Sequence, residues 1–454
     1  MPTGRNPNII LILTDHFRRD AIGRSTPNLL GLAERGTTFA NAYCASPLCG
    51  PSRVSMITGL LPSQHGVCGN QARPISPALR DDTYARHLQQ AGYYTAMIGK
   101  HHWIDMYGLQ TDVRVNDDEL KRYGFDHIFQ VVDDGENRHN DDEYTAYLRS
   151  IGRLGEFRES FSRKGARRFQ HPFAEHDSAD GFIGRNAVQF VEAYDGERPF
   201  YLNVSFIGPH PPLWHPGELT HDPEEMWPPL GAPDDPQTRI KRAHYMEKCA
   251  LIDRYIGRLI AALEARGMLE DTVIIFTSDH GDNLGDYGIW DKRYFYENSV
   301  GVPFVMAGAG VPGGERMNGA RVSRSLISHL DLYPTILGLA GVDVPTHGRR
   351  LGIDISRILS ENGGPARAEL VAELGTCVML RTGNWKLVFD PEQGGVQYLF
   401  NLAVDPTEHQ NLAGVAGYEH VTLDLVQRLL SNRIRLTQYT HVKEEQRLQR
   451  VRVC

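Results

Sequence analysis

Over the first two thirds of the chain, short apolar runs alternate with helical patterns, a rhythm that predicts parallel strands joined by crossover helices. Four runs read as buried strands because each is short and rich in Val, Ile, Phe or Tyr. They are Asn8–Leu13, Tyr94–Ile98, Phe200–Phe206 and Thr272–Thr277. Between them, Pro27–Arg35 reads as a helix with Leu29, Leu30, Leu32 and Ala33 on its apolar side and Gly36 as its stop, and Thr83–Ala91 stops in the same way at Gly92. A longer helix is expected over His244–Arg266, where Ile252, Ile256, Leu259, Ile260 and Leu263 keep helical spacing up to Gly267.

The pattern changes around Pro345–Gly364, where Pro, Gly and charged residues follow the helix-like segment Leu330–Ala340. A catalytic α/β domain over residues 1–345 and a C-terminal subdomain over 346–454 are therefore expected. In the latter, Glu369–Leu374, Val378–Arg381, Trp385–Phe389 and Gln397–Phe400 read as antiparallel strands, followed by a helix over Val421–Leu436. A chain of 454 residues is long enough for this two-part division. Its formal charge of -8, with no basic run before the mixed tail Lys443–Arg452, argues against nucleic acid as a partner. That tail reads as a solvated terminal helix. No apolar run approaches the roughly 18 residues of a membrane span, and Ile9–Leu13 is too short for a signal-peptide core, so a cytoplasmic protein without a membrane partner is expected. The six cysteines form no Cys-x-x-Cys pair, which argues against a thiolate zinc site or a disulfide framework.

Ligands of open α/β sheets bind beyond the carboxyl ends of the strands. After the four strands come Thr14-Asp15-His16, Gly99-Lys100-His101-His102, Gly208-Pro209-His210 and Ser278-Asp279-His280-Gly281. Taken singly, each is weak, because a lone Asp there is most often an N-cap and a lone His a surface or satisfied core residue. Together they suit a divalent cation held by carboxylates, with cationic and acid–base groups around an anionic substrate. Cys49-Gly50-Pro51-Ser52-Arg53 adds a thiol at the start of a helix ending near Gly59, where backbone N–H groups favour an anion or thiolate. On those five residues alone, a buried turn cysteine is the commoner case.

Cys-x-Pro-Ser-Arg with a Thr58-Gly59 helix end resembles the signature of the type I sulfatases, members of the alkaline phosphatase superfamily. The resemblance spans nearly the whole chain. It includes Asn8-Ile9-Ile10-Leu11-Ile12 with Asp15, Thr26-Pro27-Asn28-Leu29, Gly99-Lys100-x-His102, Pro209-His210-x-Pro212, Thr277-Ser278-Asp279-His280-Gly281, Trp290-x-Lys292 and Asp405-Pro406-x-Glu408-x-x-Asn411-Leu412. It implies a large mixed, mostly parallel sheet sandwiched by helices, with a smaller α+β subdomain whose antiparallel strands are packed by a helix. It also implies hydrolysis of a small-molecule sulfate ester of an aryl, alkyl or carbohydrate alcohol. Cys49 would be oxidised to formylglycine (3-oxoalanine) by a formylglycine-generating enzyme, and its hydrate would attack sulfur. The second hydroxyl then expels sulfate and restores the aldehyde.

By the same resemblance, Asp15, Asp279, His280 and modified Cys49 hold one divalent metal ion, Ca²⁺ in the family, and Arg53 orients the gem-diol. Lys100 and Lys292 bind the sulfate oxygens, His102 assists the second hydroxyl, and His210, with Lys292, assists the departing alkoxide. Two positions depart from the family pattern. Asp15 is followed by His16 instead of a second acid, which makes His16 a further candidate ligand, and position 280 carries His where many sulfatases have Asn. Nitrogen donors turn preference toward Mn²⁺, Zn²⁺ or Fe²⁺. An Asp-His ending also resembles phosphonate monoester and phosphodiester hydrolases that use the same formylglycine. A non-catalytic binding protein with unmodified Cys49 is the third reading. A homo-oligomer is compatible with all of these. Trp103, Tyr107, Trp214 and His215, in or beside the expected loops Asp105–Arg138 and Pro211–Gln237, either contact a sugar or aryl group or anchor those loops, anchoring being the commoner role.

Overall fold

A computed structural model describes residues 6–451 apart from 71–74, 105–110, 312–320, 346–349 and 360–366, with side chains described to residue 436. Eight strands make the large sheet: β1 (Asn8–Asp15), β2 (Thr37–Tyr43), β3 (Tyr94–Gly99), β4 (His127–Gln130), β5 (Phe200–Pro209), β6 (Thr272–Ser278), β7 (Phe304–Gly308) and β8 (Arg321–Ser328). Their order is β4-β3-β5-β1-β6-β7-β2-β8. The five strands from β4 to β6 run parallel; β7 is antiparallel to both β6 and β2, and β2 pairs parallel with β8. The sheet is thus mixed and mostly parallel. At its centre, β1 pairs with β5 through Ile9 and Tyr201 and with β6 through Ile9 and Val273.

Successive residues of a strand point to opposite faces, and β1 supplies both halves of the core. Ile9, Leu11 and Leu13 join one buried cluster, Ile10 and Ile12 the other. The first cluster is covered by α2 (Cys49–Thr58), α3 (Tyr84–Gln90) and α6 (Leu332–Leu339), through Val54, Ile57, Leu88 and Ile336. The second is covered by α1 (Pro27–Arg35), α4 (Ala179–Ala193) and α5 (Pro236–Ala265), through Leu29, Ile183, Ile252 and Ile256. Helices therefore sandwich the sheet.

Four sheet strands, β2, β4, β7 and β8, escape the sequence reading. β2 and β8 are partly exposed and carry Asn, Arg and Ser, so they show neither a buried run nor clean alternation. β4, of four residues, lies inside the segment expected to be a loop. The long helix α5 begins eight residues before its expected start at His244 because Asp235 caps it, its carboxylate accepting from the Gln237 and Thr238 N–H groups, with Pro236 at the first position. Leu30, expected on the apolar side of α1, faces solvent at 40% exposure.

Toward the C-terminus, β9 (Glu369–Leu374), β10 (Cys377–Thr382), β11 (Trp385–Asp390) and β12 (Gly395–Asn401) form a separate antiparallel sheet of consecutive neighbours. The terminal helix α7 (Glu419–Val451) packs Leu425 and Leu429 on its Val378, Leu380, Leu387 and Leu399, with Ala45, Leu61 and Leu330 of the larger layer completing the cluster. Among the described residues no helix is long and apolar enough to cross a membrane.

Lys386 of β11 ties the two sheets together. Its fully buried ammonium lies 2.6 Å from both Glu297 and Glu408 and donates to the Phe295 carbonyl at 2.8 Å, while Arg19 pairs with Glu297 from β1's side. Removing one partner of a buried ion cluster strands the remaining charges. Lys386→Met is therefore expected to cost about 3–5 kcal/mol of stability, read as a lowered urea midpoint. An unchanged midpoint would show that the cluster does not hold the sheets together.

Candidate active site

The carboxyl ends of β1, β3, β5 and β6 lie side by side, and the polar residues that follow them converge on the first residue of α2, Cys49. All ten residues of α2 are buried, and the helix stops at Gly59, where φ is +68° and an added Cβ would lie 2.9 Å from Tyr333. At the end of β3, Gly99 (φ +108°) turns the chain so that Lys100 enters the site; an added Cβ there would meet the Ser205 carbonyl at 2.0 Å.

Cys49 Sγ lies 3.0 Å from Lys292 Nζ, 3.2 Å from His280 Nε2 and 3.5 Å from Asp15 Oδ1. Burial opposes the thiolate, but Lys292, Lys100 and His280, with a contact from His102, outweigh it and hold the Cys49 thiol well below its ordinary range. For Asp15, burial and Cys49 oppose ionisation; Lys100, His210 and Lys292 prevail, and the carboxyl sits well below its usual value. Asp279 goes the other way. Burial and the nearby Asp15 charge raise it, against His280 and Arg53.

The cations are fixed by carboxylates and carbonyls. Lys100 Nζ donates to Asp15 Oδ2 at 2.6 Å and to Asp133 Oδ2 at 3.1 Å. Arg53 donates through Nε to Asp279 Oδ2 at 2.7 Å and through Nη1 to the Lys100 carbonyl and Ser205 Oγ, both at 2.8 Å. Among the described residues its buried Nη2 has no hydrogen-bond partner, and it sits 3.6 Å from Asp15 Oδ2. Lys292 Nζ also lies 2.6 Å from His16 Nε2.

Both departures from the family pattern turn a ring nitrogen inward, although, against burial and the Lys292 charge, the Asp282 carboxylate raises the His16 pKa to about 9. His280 Nδ1–H donates to the Gly281 carbonyl at 2.8 Å, and His16 Nδ1–H to Asp282 Oδ2 at 2.6 Å, which leaves each Nε2 facing the site. Two sets of donor atoms lie within 4.8 Å of one another around Cys49: Asp15, Cys49, Asp279 and His280, and Asp15, His16, Cys49 and His210. Two fully buried carboxylates, an inward lone pair and a sulfur in one cluster have the chemistry to hold a divalent cation. The repulsion that raises Asp279 is what such a cation would offset.

His102, at φ +58°, donates from Nε2 to the Asn70 carbonyl at 3.3 Å. His210 stands half-buried at the mouth, its ring edge-on to His16 with centroids 4.6 Å apart. Burial and Lys292 lower its pKa to about 3. His101 turns away from the chemistry: it pairs with Gln130 at 2.8 Å and receives the Trp103 N–H. Trp103 and Trp214 are loop anchors, buried and bonded through their indole N–H groups to the Arg53 carbonyl and Asp134 Oδ2, and His215 pairs with His244 at 2.8 Å. Tyr107 lies outside the described residues.

Sequence reasoning missed Asp133 and Asp282, which hold Lys100 and His16. Asp133 follows β4, so the strand-end rule reaches it once β4 is known; Asp282 lies two residues past His280 with no signal of its own.

The fold is shared with phosphonate monoester hydrolases of known structure. The phosphonate monoester hydrolase of Agrobacterium radiobacter superposes with a TM-score of 0.79 at 24% identity, covering 95% of this chain and 96% of that one. The sulfatase family model matches residues 7–342, and a model described as N-sulphoglucosamine sulphohydrolase, C-terminal, matches residues 285–435. A choline-sulfatase of Rhizobium meliloti (strain 1021) is 32% identical over 91% of this chain and 83% of its own length. An arylsulfatase of Clostridium perfringens (strain 13 / Type A) is 27% identical over 93% of each chain. The chain belongs to the sulfatase family and is a sulfuric ester hydrolase.

Lys292 is the cation nearest the thiol, so Lys292→Met is expected to move the Cys49 pKa upward in protein made without cysteine oxidation. Thiolate ultraviolet absorbance followed against pH measures it. A titration unmoved by the substitution would refute Lys292 as the dominant cation.

Proposed function

We propose that this protein hydrolyses a sulfate monoester to alcohol and sulfate at Cys49 after oxidation of that residue to formylglycine, beside one divalent cation. The observation that carries the reading is the convergence of Lys292, His280 and Asp15 within 3.0–3.5 Å of Cys49 Sγ at the start of α2. The hydrated formylglycine would supply the attacking oxygen. Asp15, Asp279, His280 and the residue-49 side chain would hold the cation, with His16 as a further donor; bound there, it would lower the pKa of the nucleophile and offset charge on the sulfuryl oxygens. Their nitrogen donors favour Mn²⁺, Zn²⁺ or Fe²⁺ over the Ca²⁺ of the family pattern.

The remaining roles belong to the chain's own groups. Arg53, always protonated and buried, orients the nucleophilic side chain through its free Nη2. Lys100 and Lys292 set two ammonium groups against the non-bridging oxygens, already in place before substrate arrives. His102 takes a proton from the second hydroxyl at residue 49, and His210 meets the departing alkoxide together with Lys292, whose ammonium carries the proton that the low-pKa imidazole lacks. A second reading, phosphonate monoester or phosphodiester hydrolysis at the same residue, is favoured by the inward-facing His280 where many sulfatases carry Asn.

Two measurements test these readings. In protein from a host able to make formylglycine, the tryptic peptide Gly36–Arg53 is expected to carry an aldehyde at position 49; an intact thiol there would favour a non-catalytic binding protein. Catalytic efficiency on matched aryl sulfate and aryl phosphonate esters, with choline sulfate beside them, is expected to be higher for sulfate. Much faster turnover of the phosphonate would overturn the sulfate preference.

A further inference from the structure

The segment that carries His210 is held by two buried charges from different helices. Asp180, in the first turn of α4, accepts the Ile207 and Gly208 N–H groups on Oδ1 at 2.9 and 3.0 Å. Lys248 of α5, 2% exposed, donates from Nζ to the His210 carbonyl at 2.8 Å and the Pro212 carbonyl at 3.2 Å. Among the described residues no carboxylate forms an ion pair with this ammonium. A buried lysine is retained where its charge is satisfied, and here those two carbonyls are its hydrogen-bond acceptors. Beyond its edge-on contact with His16, the His210 ring is fixed by the backbone: its Nδ1–H returns to the Pro211 carbonyl at 2.6 Å.

We infer that Lys248 is a positioning residue for His210, holding the 210–212 turn so that the imidazole stands on the leaving-group side of the site. This rests on the leaving-group role proposed above for His210. Lys248 touches neither the Cys49 cluster nor the sulfate-binding lysines, so it acts on departure of the alcohol and leaves sulfate binding alone. A displacement of about 1 Å in such a group costs on the order of 10²-fold in rate.

The test uses the mature, metal-loaded enzyme and a series of aryl sulfates whose phenols span a wide range of pKa. His210→Ala is expected to steepen the fall of kcat with leaving-group pKa. Lys248→Met should steepen it likewise, costing about 10²-fold on the poorest leaving group, little on the best, and almost nothing when His210 is already Ala. Lys248→Gln, which keeps one donor group, should fall between and serves if the Met variant does not fold. If Lys248 variants slow every ester by the same factor, or add their full cost to His210→Ala, Lys248 is merely structural and the inference fails. If His210→Ala itself leaves the slope unchanged, the role of His210 falls, and the inference with it.

Discussion

Asp15 is shared by Lys100, Cys49, His280 and Arg53. It ends the central strand, its Oδ2 takes the Lys100 ammonium at 2.6 Å, and its Oδ1 faces Cys49 and His280 at 3.5 Å each. A carboxylate with no solvent exposure stays ionised only where cations surround it. Those cations are the groups an anionic ester needs. The charges that make burial of Asp15 tolerable come from the ends of β3 and β5 with Lys100 and His210, from α2 with Arg53 and from the loop after β6 with Lys292.

The balance is local and alternates in sign. Lys100 lies between Asp15 and Asp133, Arg53 beside Asp279, and Lys292 between Cys49 and His16. Each cation is anchored before any ligand arrives, so little reorganisation is left for the moment of reaction. The two histidines are anchored on their far nitrogens, one by a carboxylate and one by a backbone carbonyl, which fixes ring orientation as well as tautomer.

Much of this was legible in the sequence. The four chemistry-bearing strands are almost wholly buried and read as short runs rich in Val, Ile, Phe or Tyr, and the Cys49–Arg53 segment carries its own family signature. β2 and β8 were not legible, because Thr37–Tyr43 and Arg321–Ser328 mix small, polar and charged residues at half-exposed positions. The loss of β4 hid Asp133. Asp282 and Lys248 were illegible for another reason: their importance comes from what the fold brings against them, His16 from 266 positions away and the His210 turn from 38. A lysine in a helix looks like surface until its partners are seen to be buried carbonyls.

The Lys386 cluster bears on the order in which the molecule is completed during synthesis. Glu297 begins the single-turn helix that follows the Lys292 loop, and Arg19 reaches it from the first strand's exit, yet the buried ammonium that joins them arrives 89 positions later in the chain. Until β11 has emerged from the ribosome, Glu297 lacks its interior counter-charge and the Phe295 carbonyl its donor. The Lys292 loop is thus backed by a strand made well after it, and a nascent chain that already contains every residue of the Cys49 cluster still lacks the brace behind it.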